Sequence, residues 1–200
     1  SKNVVVDLCS GSGIISVIIS QKKNVRKIFS VELQDEMFDL LERNIELNNL
    51  DEVISPVKAN IKEYHMDKKV DIVVCNPPYK QIGTGVENEN SVKYIARHEK
   101  ECTLEDVFIC ASRLLKQKGK LYLVHKPQRL ADLIVFARKY KLEAKTLRFV
   151  YPTIDSKPSI VLIEYVYCGG NEINVLPPLI EYDENGNYTK EILDIYGSEN

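Results

Sequence analysis

The sequence lacks any apolar run approaching the roughly 20 residues that span a bilayer, so no membrane-crossing helix is expected. It shows no basic-then-apolar leader, so secretion is not expected and the cytoplasm is. Its five cysteines (Cys9, Cys75, Cys102, Cys110 and Cys168) are dispersed, with no CxxC pair. That spacing argues against a disulfide framework or a zinc cluster and suits a reducing compartment; no metal is expected. Internal repeats are absent too. The net charge of −2 carries no overall signature of a polyanion binder.

What is there is an ordinary globular composition, 44% hydrophobic and 28% charged, over a length that fits one domain. Charge is unevenly placed. Residues 112–148 hold seven Lys and four Arg against Asp132 and Glu143, a local net of +9 that could meet a polyanion on one face. Residues 171–200 hold seven acids against Lys190, a net of −6. The same lysines could equally decorate solvated helices.

Strand and helix patterns alternate, which implies an α/β fold, Rossmann-like, with a mostly parallel sheet of seven strands covered on both faces. Strands are expected at residues 3–8, 27–33, 53–57, 70–75, 120–124, 142–150 and 160–167. The last two form a close pair that could be antiparallel. Helices are expected at 14–21, at 34–47, from Thr103 to Lys118 with Gly119 as the stop, and at 128–140. The second of these places Met37, Leu40, Leu41, Ile45 and Leu47 along one apolar stripe. Residues 1–168 are expected to form one domain, with 169–200 an acidic tail packed on it or trailing from it. Because the first strand starts within three residues, a helical segment is expected to precede it.

The sharpest feature is Asp71-Ile72-Val73-Val74-Cys75-Asn76-Pro77-Pro78-Tyr79. Two consecutive prolines cannot donate to a sheet ladder, so the strand stops at Asn76. A rigid amide and an aromatic ring are then left at a strand's carboxyl end, where open α/β sheets place ligands. That pair suits a planar substrate bearing an amino group, such as adenine. Cys75 should face the core by strand alternation.

A second feature is Val4-Val5-Val6-Asp7-Leu8-Cys9-Ser10-Gly11-Ser12-Gly13, a strand, an acid and a glycine turn. A dinucleotide fingerprint needs a third glycine where Ser16 stands, and no phosphate-binding G-x-x-x-x-G-K-[ST] loop is present. S-adenosylmethionine is the other ligand of such loops, with Asp7 placed to serve its amino-acid end. Glu32, 19 residues beyond Gly13, can accept the hydroxyl protons of an adenosyl ribose, with Leu33 beside it.

Together these elements resemble the class I S-adenosylmethionine-dependent methyltransferases, with Cys9 in place of the usual first glycine of their loop. A side chain at that place is expected to require negative φ. The resemblance implies that Asn60-Ile61, after the third strand, meets the adenine of the cofactor. In such enzymes Asn76 Oδ1 and the Pro77 carbonyl accept the N–H protons of the target amine, Pro78 fixes that carbonyl, and Tyr79 stacks on the base. The motif is shared by enzymes acting on adenine N6, cytosine N4 and a release-factor glutamine.

Residues 96–99 (Ala-Arg-His-Glu), Ala111-Ser112-Arg113-Leu114-Leu115-Lys116, Val124-His125-Lys126-Pro127-Gln128-Arg129-Leu130 and Leu176-Pro177-Pro178-Leu179 resemble the bacterial tRNA1(Val) (adenine-37-N6)-methyltransferases. That resemblance implies a tRNA partner and methylation of adenine 37 of a valine tRNA. By position, Lys126 and Arg129 after the fifth strand and Arg97 and His98 in the polar loop after Tyr79 are the expected RNA contacts, although His98 could instead be an ordinary loop histidine. DNA adenine or a release-factor glutamine is the competing substrate, and a catalytically silent RNA-binding module is the competing class.

Overall fold

The computed structural model describes residues 2–78 and 102–197. Strand β1 (Asn3–Leu8) leads into helix α1 (Ile14–Ser20), β2 (Val25–Glu32), α2 (Asp35–Leu47), β3 (Ile54–Lys58) and β4 (Val70–Cys75). Helix α3 (Leu104–Leu114) follows, then β5 (Leu115–His125) and a 3-10 turn at Pro127–Arg129 that opens α4 (Leu130–Lys139). Strands β6 (Leu142–Tyr151) and β7 (Ile160–Tyr167) precede the short β8 (Asn174–Val175), β9 (Leu179–Ile180) and α5 (Lys190–Tyr196).

All the strands join one sheet in the order β3-β2-β1-β4-β5-β7-β6-β8, with β9 also bonded to β6. Strand β7 runs antiparallel to both β5 and β6, and the other pairings are parallel. The seven expected strands are therefore present, and the tail adds two more, raising the total among the described residues to nine. From β1 the chain winds outward through β2 to β3, then returns to place β4 on β1's other side. That reversal opens a crevice at the carboxyl ends of β1 and β4.

Alternation along each strand sends successive side chains to opposite faces, and helices cover both. Val6, Leu8, Val73, Cys75, Leu121 and Leu123 pack under α3 and α4 with Phe108 and Leu133. Val5, Ile28, Ile54 and Val74 pack against Leu41 and Ile45 of α2. Phe108 meets Tyr165 edge-on, ring centroids 5.4 Å apart. Pro56 lies in β3, at the sheet's edge, where a missing N–H costs least.

Three local expectations are corrected. On α2 the buried stripe is narrower than the sequence pattern suggests, because Leu40 is 40% and Leu47 78% exposed. Helix α3 begins as expected, with Thr103 and Asp106 forming a reciprocal capping box, but it ends at Leu114 rather than Lys118. Leu115 is buried and extended (ψ 140°), and it pairs with Val70 instead of continuing the helix. Gly119 is not the helix stop. Lys118 takes the left-handed turn (φ 64°), and a Cβ on Gly119 would lie 2.9 Å from the Lys116 carbonyl and 3.1 Å from that of Asp71. The third correction is Cys9, whose φ is +55° rather than negative.

Candidate active site

The glycine loop after β1 is built from both sides. Ser10 N–H donates to the Val31 carbonyl at 3.0 Å, and Asn44 Nδ2 of α2 donates to the Ser12 carbonyl at 2.8 Å. Gly13 caps α1 at φ 82°, and a Cβ there would lie 2.4 Å from Leu41 Cδ1, so this position needs glycine for conformation and for space. Gly11 is also left-handed (φ 55°) but faces open space.

Glu32, at the carboxyl end of β2, ties this loop to the next one. Its Oε2 accepts from Gly11 N–H at 2.8 Å, and its Oε1 accepts from Leu33 and Gln34 N–H, each at 2.9 Å. Only 5% of the residue is exposed, yet it lines a cleft of about 230 Å³ at the crevice beside β1. Cys9 and Gly11 from the first loop, Leu33 from the second, Asn60 and Ile61 after β3, and Asn76 and Pro78 after β4 line the same cleft. Four strand ends thus bring together residues spread from position 9 to position 78.

Other expected residues lie beside that cleft rather than on its wall. Asp7 is fully buried beneath the loop, where its Oδ2 accepts from Ser16 Oγ at 2.7 Å and Ser16 in turn meets Ser30 Oγ at 2.7 Å. Burial pushes the Asp7 carboxyl up to about 7, and its Oδ1 is buried without a partner. Ser10 and Gly13 support the loop from below without lining the cleft, and Pro77 is buried between exposed Asn76 and Pro78. Lys126 and Arg129 follow the end of β5; Lys126 Nζ lies 3.5 Å from the Ser159 carbonyl and Arg129 pairs with Asp132 at 2.5 Å. Tyr79, Arg97 and His98 lie outside the described residues.

Asn60 is engaged in a turn. Its Oδ1 accepts from Lys62 N–H at 3.0 Å, and its carbonyl accepts from Glu63 and Tyr64 N–H at 3.0 and 2.9 Å. One Oδ1 lone pair remains for a ligand.

Sequence reasoning missed Gln34, Met37 and Cys102, which also line the cleft. Met37 carries a helical periodicity that reads as core, although its side chain sits at the site end of α2. Cys102 offers no signal, since its partner Cys9 is 93 residues away, with the two Sγ atoms 3.8 Å apart. That contact and then burial hold the Cys102 thiol well above its usual range, and burial raises that of Cys75, which faces the core as expected. Protonated thiols of this kind are poor nucleophiles.

The sequence pattern of the TRM5/TYW2 methyltransferase domain matches residues 1–107. A curated relative from Dyadobacter fermentans is 26% identical over 185 residues, covering 91% of this chain and 75% of the relative. Another, from Porphyromonas gingivalis, is 24% identical and covers 80% of this chain and 64% of the relative. Both are named tRNA1(Val) (adenine(37)-N6)-methyltransferase, so the resemblance seen in the sequence is borne out. Among solved structures, a predicted O-methyltransferase from Agrobacterium tumefaciens superposes with a TM-score of 0.77 at 17% identity, covering 98% of this chain and 88% of that one. Trm5 of Methanocaldococcus jannaschii in complex with adenosine superposes at 0.56 with 21% identity, covering 84% of this chain and 45% of that one. These two likenesses establish a Rossmann-like methyltransferase fold.

Proposed function

The chain belongs to the TRM5/TYW2 methyltransferase-domain family, and on that premise we propose that it transfers the methyl group of S-adenosylmethionine to the exocyclic N6 of a tRNA adenine, adenine 37 of a valine tRNA. One observation carries this reading. Glu32 and Asn76, from strands on opposite sides of β1, line a single cleft at the sheet's reversal point.

The residues fit the adenosyl group. A carboxylate offers about four acceptor sites, and Glu32 uses three on backbone N–H groups, two at Oε1 and one at Oε2. The fourth, on Oε2, is left for a ribose hydroxyl; a second hydroxyl would have to displace the Gly11 bond. Leu33 and Ile61 supply apolar walls for the purine, and Asn60 Oδ1 keeps an acceptor for its amino group.

Bound S-adenosylmethionine supplies a methyl group that is already activated. The protein's task is therefore to position the acceptor in line and exclude water. An exocyclic amine is a weak nucleophile because its lone pair is delocalised into the ring. Asn76 Oδ1 and the Pro77 carbonyl, accepting its two N–H protons, favour the pyramidal nitrogen of the transition state. The methylated ammonium is acidic enough to lose its proton to water, so a dedicated base is unnecessary. Lys126 and Arg129, near the same sheet edge, are the candidate phosphate contacts. In this reading residues 1–168 form the catalytic domain, and β8 and β9 of the acidic tail close the sheet's far edge.

The test is incubation of the full-length protein with methyl-labelled cofactor and, separately, tRNA, DNA and a release factor. Label is expected in tRNA. Label confined to the release factor or to DNA rejects the substrate assignment.

A further inference from the structure

Arg113 lies in the last turn of α3, within a segment that the proposed chemistry leaves without a role. Its Nη2 donates to the carbonyls of Ile61 and Lys62, at 2.9 and 3.1 Å, across 52 and 51 residues of sequence. Those carbonyls belong to the turn that Asn60 begins. The turn satisfies the Asn60 carbonyl locally, through Glu63 and Tyr64, whereas the next two carbonyls are met by Arg113. The guanidinium Nε is buried without a hydrogen-bond partner, and Nη2 carries both bonds to the turn. A second tie runs parallel to it, with Lys62 Nζ 3.7 Å from Asp106 of the α3 capping box.

The two sides of this turn do different things. Its front carries Asn60 and Ile61 into the cleft; its back is gripped by α3, whose approach also brings Cys102 to the cleft wall. We propose that Arg113 is a positioning residue for the nucleoside end of the cofactor, holding the 60–62 turn so that Ile61 and Asn60 meet the purine at a fixed distance. This rests on the cofactor reading given above. A turn held only by its own hydrogen bonds has to be ordered on binding, and that cost falls on affinity. The methyl-transfer geometry at Asn76 is set by β4 and is independent of Arg113.

The assignment separates binding from turnover. In the full-length protein, Arg113→Gln is expected to weaken S-adenosylmethionine about tenfold by calorimetry, equivalent to about 1.4 kcal/mol, with kcat at saturating cofactor within about twofold of wild type. Arg113→Lys, a shorter cation with donors of different geometry, should fall between the two. Adenosine alone should lose the same factor as the whole cofactor, because the defect is confined to the nucleoside end. Wild-type affinity in a folded Arg113→Gln protein, or an equal loss in kcat and affinity, overturns the assignment while leaving the cofactor reading intact. If the wild-type protein binds neither S-adenosylmethionine nor adenosine, the cofactor reading falls, and this assignment with it.

Discussion

Asp7 is fully buried, with one oxygen bonded to Ser16 and the other without a partner. Its carboxyl stands near 7 in the folded protein against an ordinary 3.8. Between those values the folded protein keeps a proton that the unfolded chain releases. The stability this group contributes is therefore fully present below about pH 4 and lost as pH rises through about 7. Wild-type urea midpoints should fall from pH 5 to 7.5 relative to those of Asp7→Asn. A constant difference between the two proteins would show that Asp7 does not titrate in this range. Asn76 and Glu32 make a complementary pair. Asn76→Ala should abolish transfer with cofactor affinity nearly unchanged, whereas Glu32→Ala should weaken cofactor binding by a charged hydrogen bond's worth, about 2 kcal/mol by titration. Wild-type turnover in the Asn76 variant would remove the role assigned to it.

Elements shape this site by packing against its loops as well as by lining it. Helix α2 holds the glycine loop with Asn44 and presses Leu41 against Gly13. Gly13→Ala should therefore cost about 2 kcal/mol or more, from strain and overpacking together. Gly11→Ala, with open space around it, should cost only about 1 kcal/mol for its left-handed backbone. Chemical denaturation of the two variants measures the gap, and equal losses would contradict this division of labour. Much of this loop was legible in the sequence, because Asp7, the glycines and Glu32 keep the spacing of a strand, a turn and a second strand. The positive φ of Cys9 was not, since a backbone angle imposed by the ligand loop overrides the steric preference of the residue. Nor was the end of α3. Propensity allows the helix to continue to Lys118, but tertiary pairing of Leu115 with Val70 takes the chain into the sheet four residues earlier. Arg113 was visible as part of a family-like segment, yet its target 52 residues upstream leaves no local pattern to read.

At the scale of the molecule, the acidic tail completes the sheet. Strands β8 and β9 bond to the outer edge of β6, and Arg148 of β6 reaches the Pro177 carbonyl and Glu191. An uncovered edge strand would be open to pairing with another chain. Leu179, Val150 and Ile192 form a small core under this cover. Leu179→Ala should lower stability by about 3 kcal/mol within one cooperative transition. A separate low-temperature transition would instead mark the tail as independent of the domain. Composition alone suggested a tail because its turn-rich acidic character hides two strands of two residues each. The reversal between β1 and β4 also brings the proposed nucleoside-binding residues beside the proposed amine acceptors. The most direct test incubates the full-length protein with S-adenosylmethionine and unmodified valine tRNA, then maps the nucleosides by mass spectrometry. The account predicts one N6-methyladenosine at position 37, absent with Asn76→Ala. Unmodified tRNA, or methylation at any atom other than adenine N6, would contradict it.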